Sequence, residues 1–253
     1  MNTNLRRGMN LLVALTAAAL AGALATGCAS GGADAGAPTQ ADAPKDAPSD
    51  QTQAPSIAAE VIYKPAPWKK TYSEGKRVIR REARQDGDSP NKWIIDEFDS
   101  PDGTLQGGLV RQTYLERGPD GSVFLSQLNL VLEKRILTFD PALVLMPSVL
   151  TSEKACVSTS DVTMRDGETD ASTKTRGTAT QTTRLLKQKG DAFVVESQMV
   201  AKFDFTTIER TATLDVVPGR GIVREVQDRA VRFGLLSLSR KTSTVTLVEQ
   251  PAQ

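Results

Sequence analysis

The chain has no histidine among its 253 residues. That absence removes Ser–His and Cys–His nucleophile pairs, His-ligated zinc and haem, and the commonest general base near neutral pH. Cysteine occurs only at Cys28 and Cys156. Cys28 lies ahead of the body of the chain, so Cys156 has no partner thiol within that body and no imidazole to activate it. It reads as a small apolar residue in a strand near Val157. The formal charge is +1 at pH 7, which leaves no nucleic-acid footprint at the level of net charge. The remaining carboxylates are poorly placed for chemistry. Asp96, Glu97 and Asp99 sit together before a turn, and Asp166, Glu168 and Asp170 cluster around Gly167. Neither group has calcium-loop spacing, and both read as solvated turn acids. Ser73 and Lys76 make a Ser-x-x-Lys string without the supporting motifs of that enzyme class. The expectation is a non-enzyme with no catalytic residue, no metal site, no cofactor and no nucleic-acid partner.

Long apolar runs are scarce too. The clearest, Leu11 to Ala25, has about fifteen residues, short of the roughly twenty that a permanent membrane helix needs. It follows a head that carries Arg6 and Arg7 and no acidic residue, and it ends in Thr26-Gly27-Cys28. A basic head, a short apolar run and small residues at the cut are the parts of a secretory signal, read here as residues 1–27. The competing reading is a plain secretory peptide with an accidental cysteine. Arg6-Arg7 reads as an ordinary positive head, because its surroundings fit a twin-arginine signal poorly.

Leu24-Ala25-Thr26-Gly27-Cys28 resembles the bacterial lipobox, with Ala25 standing where leucine is commonest. The resemblance implies cleavage before Cys28, a diacylglyceryl thioether on that sulfur and often acylation of the new amino terminus, palmitate included. Each buried methylene contributes about 0.8 kcal/mol, so two chains give stable anchoring. The implied location is the cell membrane. If the host has two membranes, Ala29 matches the pattern for the outer membrane, facing the periplasm.

From residue 28 to residue 56 the composition is rich in Ala, Pro, Asp and Gly, with Asp-Ala-Pro units at Asp42–Pro44 and Asp46–Pro48. With no large apolar side chain to bury, such a stretch cannot offset the entropy of ordering and is expected to be a disordered linker. Its reach is roughly 30 Å as coil and roughly 80 Å if stiffened by proline. Residues 57–253 have globular composition and enough length for one domain with a sizeable core.

The periodicity there is two. Phe193, Val195, Met199, Ala201, Phe203 and Phe205 share a face opposite Glu196, Gln198, Lys202 and Asp204. Ile208, Ala212, Leu214 and Val216 repeat the pattern, as do Phe124, Leu128, Leu130 and Leu132. Ser100-Pro101-Asp102-Gly103, Gly118-Pro119-Asp120-Gly121 and Pro218-Gly219-Arg220-Gly221 punctuate the runs. Short strands between such turns describe an antiparallel meander. The fold expected is all-β, a curved antiparallel sheet or partial barrel, preceded by the signal peptide and the linker.

Three segments carry their own expectations. Asp140 to Pro147 is apolar with proline near both ends, which predicts a loop or short helical turn, acting as a plug for one end of the sheet or as a lid over a cavity. The basic run Lys69, Lys70, Lys76, Arg77, Arg80, Arg81 and Arg84 reads as a solvated edge, where lysine discourages edge pairing; the other reading faces it to anionic headgroups. The Ser/Thr-rich stretch Ser158–Thr183 reads as exposed strands.

Phe139-Asp140-Pro141-Ala142-Leu143, Met146-Pro147 and Val217-Pro218-Gly219-Arg220-Gly221-Ile222-Val223-Arg224-Glu225 resemble exported β-proteins related to the lipoprotein-carrier half-barrels. The resemblance spans Lys92 to Val248. It implies a curved antiparallel sheet around an apolar concavity and supplies no catalytic or ligand-binding residue. Two functions fit. One is a non-catalytic binding module holding an apolar or acyl ligand on the concave sheet. The alternative is a structural or interaction lipoprotein with a filled core and an envelope protein as its partner.

Overall fold

The structure, a computed structural model, describes residues 54–104, 107–167, 174–234 and 236–248. Cys28, the signal segment, all of the linker but its last residues, Glu168 and Asp170 lie outside the described residues. The chain enters through β1 (Ser56–Ala58) and α1 (Ala59–Ile62), then β2 (Trp68–Glu74), β3 (Arg77–Gln85) and β4 (Lys92–Ser100). Next come β5 (Gly108–Arg117), β6 (Val123–Leu130), β7 (Arg135–Met146), β8 (Val149–Thr151) and β9 (Cys156–Asp166). The last are β10 (Lys174–Lys189), β11 (Ala192–Phe203), β12 (Thr206–Val217), β13 (Gly221–Phe233) and β14 (Leu236–Leu247).

Twelve of these strands close into one antiparallel barrel, in the ring order β9 to β14, then β2 to β7 and back to β9. The all-β expectation holds, and the sheet goes further than a partial barrel by sealing itself. The seam is short: Thr246 pairs with Ser73 and Leu247 with Tyr72, and the Val248 amide donates to the Thr71 carbonyl at 2.8 Å. Closure removes the sheet edges that would otherwise template aggregation. It also corrects the reading of the basic run, because β2 and β3 are interior members of the ring and no edge is left for it to guard.

Alternation sorts the side chains. Val195, Met199, Ala201 and Phe203 of β11 are buried inside, as are Ile208, Ala212, Leu214 and Val216 of β12. Each fully buried Val, Ile, Leu, Met or Phe among them contributes about 1.5–3 kcal/mol. The outward faces carry cross-strand ion pairs instead, Lys69–Glu82, Arg184–Glu196, Arg224–Asp215 and Arg232–Glu209. No helix among the described residues is long and apolar enough to cross a membrane. The turn signals land where the sequence placed them. Gly103, Gly121 and Gly219 all have positive φ, and the amides of Gly103 and Gly121 close their turns onto the carbonyls of Ser100 and Gly118.

Four details differ from the sequence reading. Asp140–Pro147 is neither loop nor helical turn, for β7 runs through it to Met146. The strand accepts Pro141 because Phe139 to Ala142 bulge opposite Ser126 of β6, where the ladder asks no amide of it. Side chains complete the bonding there: Ser160 Oγ donates to the Pro141 carbonyl and Thr183 Oγ1 to that of Leu145. The same bulge shifts the phase of β6, so Leu125 and Leu128 point in while Leu132 sits exposed in the following turn. Phe205 lies past the end of β11 and is exposed against Phe233, with ring centroids 6.0 Å apart. In the Ser158–Thr183 stretch, Ser160, Gln181 and Thr183 are buried inside the barrel.

The two ends are closed differently. At one, β1 pairs with β8, α1 follows, and Ile57, Ala59, Ile62 and Leu150 bury themselves as a cap. The Ala59 amide donates to the Ser148 carbonyl at 3.0 Å, tying the cap to the segment between β7 and β8. At the other, Arg229 of β13 donates both terminal nitrogens to Glu133 in the β6–β7 turn, at 2.5 and 2.9 Å. Those elements are far apart in the ring, so this pair reaches across the barrel end.

Candidate functional site

Side chains inside a barrel come from alternate positions of every strand. Midway along this one, those positions are charged. Arg81 on β3 stands opposite Glu97 on β4, and Glu97 opposite Arg111 on β5. From the far wall, Arg210 on β12 and Glu225 on β13 point toward the same space.

The five form a chain of alternating sign. Arg111 donates to Glu97 at 2.6 Å, and Arg81 donates its Nε to Glu97 at 2.7 Å. Arg81 donates a terminal nitrogen to Glu225 at 2.6 Å, and Arg210 donates to Glu225 at 3.2 Å. Gln227 also donates to Glu225. The Arg81 guanidinium lies over the Tyr72 ring, 4.8 Å from its centroid. Each carboxylate is held between two cations, the condition under which buried charges can be kept. Three guanidiniums face two carboxylates, so the chain carries one positive charge in excess.

The titration behaviour follows from this placement. Burial acts to raise the Glu97 carboxyl, but Arg111 and Arg81 outweigh it and hold it down at about 2. Glu225 is likewise lowered, Arg81 and Arg210 together overcoming its burial. Burial opposes the Arg81 cation too, yet Glu225 and Glu97 hold it well above the ordinary value. Arg210 goes the other way. Burial and then the like charge of Arg111 push it down to about 10.

Beside this chain the barrel is hollow. A cavity of about 560 Å³ runs from α1 inward to Arg111 and Arg210, within the roughly 300–1,000 Å³ of small-ligand sites. Its apolar wall includes Ile95, Leu125, Leu128, Leu145, Met199 and Leu214. Gln181 and Ser197 add neutral polar groups, with Gln181 Nε2 donating to Ser197 Oγ at 2.9 Å. The mouth is framed by Tyr63 to Pro65 after α1, by Trp68 and Lys70 of β2, and by Gly219 to Gly221. Trp68 Nε1 donates to the Lys64 carbonyl at 2.8 Å, and Lys70 donates to the Arg220 carbonyl. Burial, followed by the charges of Lys64, Arg81 and Arg220, lowers Lys70. Lys64, Lys70 and Arg220 outnumber Glu60 among the charged groups there, so the mouth is net positive.

The residues singled out in the sequence divide here. Arg81 and Lys70 come from the basic run, and both face the cavity. Glu97, read as a solvated turn acid, is an interior strand residue, and Asp96 beside it is buried against Arg84 and Gln112. Asp99 bonds Arg77 near the opposite barrel end. Ser73 lies in β2 and Lys76 in the turn after it, away from the cavity lining. Asp166 ends β9. Cys156 opens β9 half-buried against the core, and burial raises its thiol. The Pro218–Gly221 turn does reverse the chain into β13, and it also forms one lip of the mouth. Asp140–Pro147 contributes Leu145 to the cavity wall from within a strand.

Sequence reasoning passed over Arg111 and Arg210. Their signal was present as interruptions in alternation: the apolar face Ile208, Ala212, Leu214 skips position 210, and Leu109, Thr113, Leu115 skips position 111. The chain matches no family model, no curated protein and no solved structure.

Proposed function

We propose that the protein is an exported lipoprotein, lipidated at Cys28 and held at the cell membrane, whose barrel is a non-catalytic binding module for an apolar or acyl ligand. If the host has two membranes, the proposed site is the outer membrane, facing the periplasm. The observation that carries the binding reading is the hollow: about 560 Å³ of space with a wall rich in leucine and methionine, reached through a framed mouth. A structural lipoprotein with a filled core would have used that volume for packing, since interiors otherwise reach crystal-like density. Small-molecule sites combine such apolar walls with a few placed polar groups, as Gln181, Ser197 and the arginine–glutamate chain are placed here.

Two experiments test the two halves. Full-length protein recovered from cells should release an acyl-containing compound on solvent extraction, detected by mass spectrometry; an empty extract together with a stoichiometric protein partner would favour the scaffold role. Cys28→Ser should free the protein from membranes and abolish labelling by radioactive palmitate. Persistent label in that variant would refute the anchor.

A further inference from the structure

We infer that Arg111 and Arg210 seat an anionic head group, so that the ligand is an amphiphile with an acyl tail and a carboxylate or phosphate end. This deepens the binding reading above and rests on it. Three observations converge. The alternating chain ends in arginine on both sides, and each terminal arginine bonds only one carboxylate of the chain, Arg111 to Glu97 and Arg210 to Glu225. Among the described residues, the Nε atoms of both are buried with no hydrogen-bond partner, whereas buried donors are nearly always satisfied. The chain as a whole has one guanidinium more than it has carboxylates. An oxyanion between the two ends would accept from both and cancel the excess.

The surroundings fit the rest of such a molecule. Leu125, Leu128, Leu145 and Leu214 line the same space, giving a tail an apolar bed beside the head. Lys64, Lys70 and Arg220 make the mouth positive, which draws an anion toward it. The two terminal arginines also repel each other, consistent with the lowering of Arg210. A bound oxyanion relieves that repulsion, so arginine's fork, matched to carboxylate and phosphate, is the residue type such a seat requires.

The test uses the full chain with Cys28→Ser, stripped of lipid on a hydrophobic resin. It is titrated at neutral pH with a dansyl-labelled undecanoic acid and with the methyl ester of the same probe. The acid should bind about tenfold or more tightly than the ester, the worth of one charge-assisted hydrogen bond. Arg111→Gln and Arg210→Gln should bring the acid down to the ester's affinity and leave the ester unchanged. Palmitate and lysophosphatidate then compete for the bound acid, and the stronger competitor identifies the head as carboxylate or phosphate. Equal binding of acid and ester overturns the anionic seat while leaving the apolar cavity reading intact. Binding of neither probe overturns that reading as well, and failure of both competitors to displace the acid overturns the head-group assignment. Should the arginine variants fail to fold, the acid-to-ester ratio in the arginine-intact protein decides alone.

Discussion

Replacing Glu225 by glutamine probes the interior charge chain at its most enclosed point. The side chain is 3% exposed and accepts from Arg81, Arg210 and Gln227. Glu225→Gln keeps the shape and removes the charge, leaving three guanidiniums with Glu97 alone. Breaking a buried pair by deleting one partner costs about 3–5 kcal/mol, because the surviving charge stays desolvated. The two survivors are not equally enclosed. Arg81 is 8% exposed, but Arg210 keeps 28% of its side chain open to the cavity, where water can reach it. The loss should therefore fall near the lower bound, about 3 kcal/mol. With a urea slope of about 2–3 kcal/mol/M for a chain of this size, the midpoint drops by about 1–1.5 M. Tryptophan fluorescence reads the transition, since Trp68 and Trp93 both lie in the barrel. Glu209→Gln is the control: its partner Arg232 is 53% exposed, and the change should cost less than about 1 kcal/mol. The decisive comparison is Glu225→Gln combined with Arg210→Gln, which returns the chain to a single excess positive charge. That double variant should be more stable than Glu225→Gln alone. If the two losses simply add, or if Glu225→Gln behaves like the surface control, the electrostatic account of the interior is wrong.

Three further outcomes follow from the same structure. Glu97 is depressed from 4.5 to about 2, so its contribution is fully present above its unfolded value and is lost as pH falls from about 4.5 toward about 2; urea midpoints should decline across that window, and Glu97→Gln should flatten the decline. Ala212→Phe projects a ring into the cavity, so dansyl-acid affinity should fall by about tenfold or more while stability changes by less than the about 1–3 kcal/mol of ordinary overpacking; undiminished binding would show that the ligand lies elsewhere. Gly177→Ala would place a Cβ 2.1 Å from the Lys202 carbonyl oxygen and 2.8 Å from the Phe203 ring, and should cost about 1–3 kcal/mol or more in thermal or urea unfolding. Gly108→Ala, which meets nothing within 4 Å, should be near neutral by the same assay.

Much of the fold was legible because a strand advertises itself locally. The period of two over Phe193–Phe203 and Ile208–Val216, and the Pro-Asp-Gly turns at 101–103 and 119–121, are properties of adjacent residues, and each became the strand or turn expected. The misreadings came where a partner strand decides. Pro141 looked like a breaker, and only the bulge opposite Ser126 shows that its missing amide is not needed. Glu97 looked solvated beside Asp96 and Asp99, yet it faces Arg111 across one ladder and Arg81 across the next.

By itself, then, the sequence determined the all-β class, the positions of the turns and the absence of any imidazole, since these depend on neighbouring residues and on composition. It also carried the lipobox resemblance at Cys28. Tertiary structure alone decided that the sheet closes, that a hollow remains, and that charges from β3, β4, β5, β12 and β13 meet inside it. The reason is separation along the chain. Arg81 and Glu225 are 144 residues apart, and no local periodicity can announce that two such positions share one buried space.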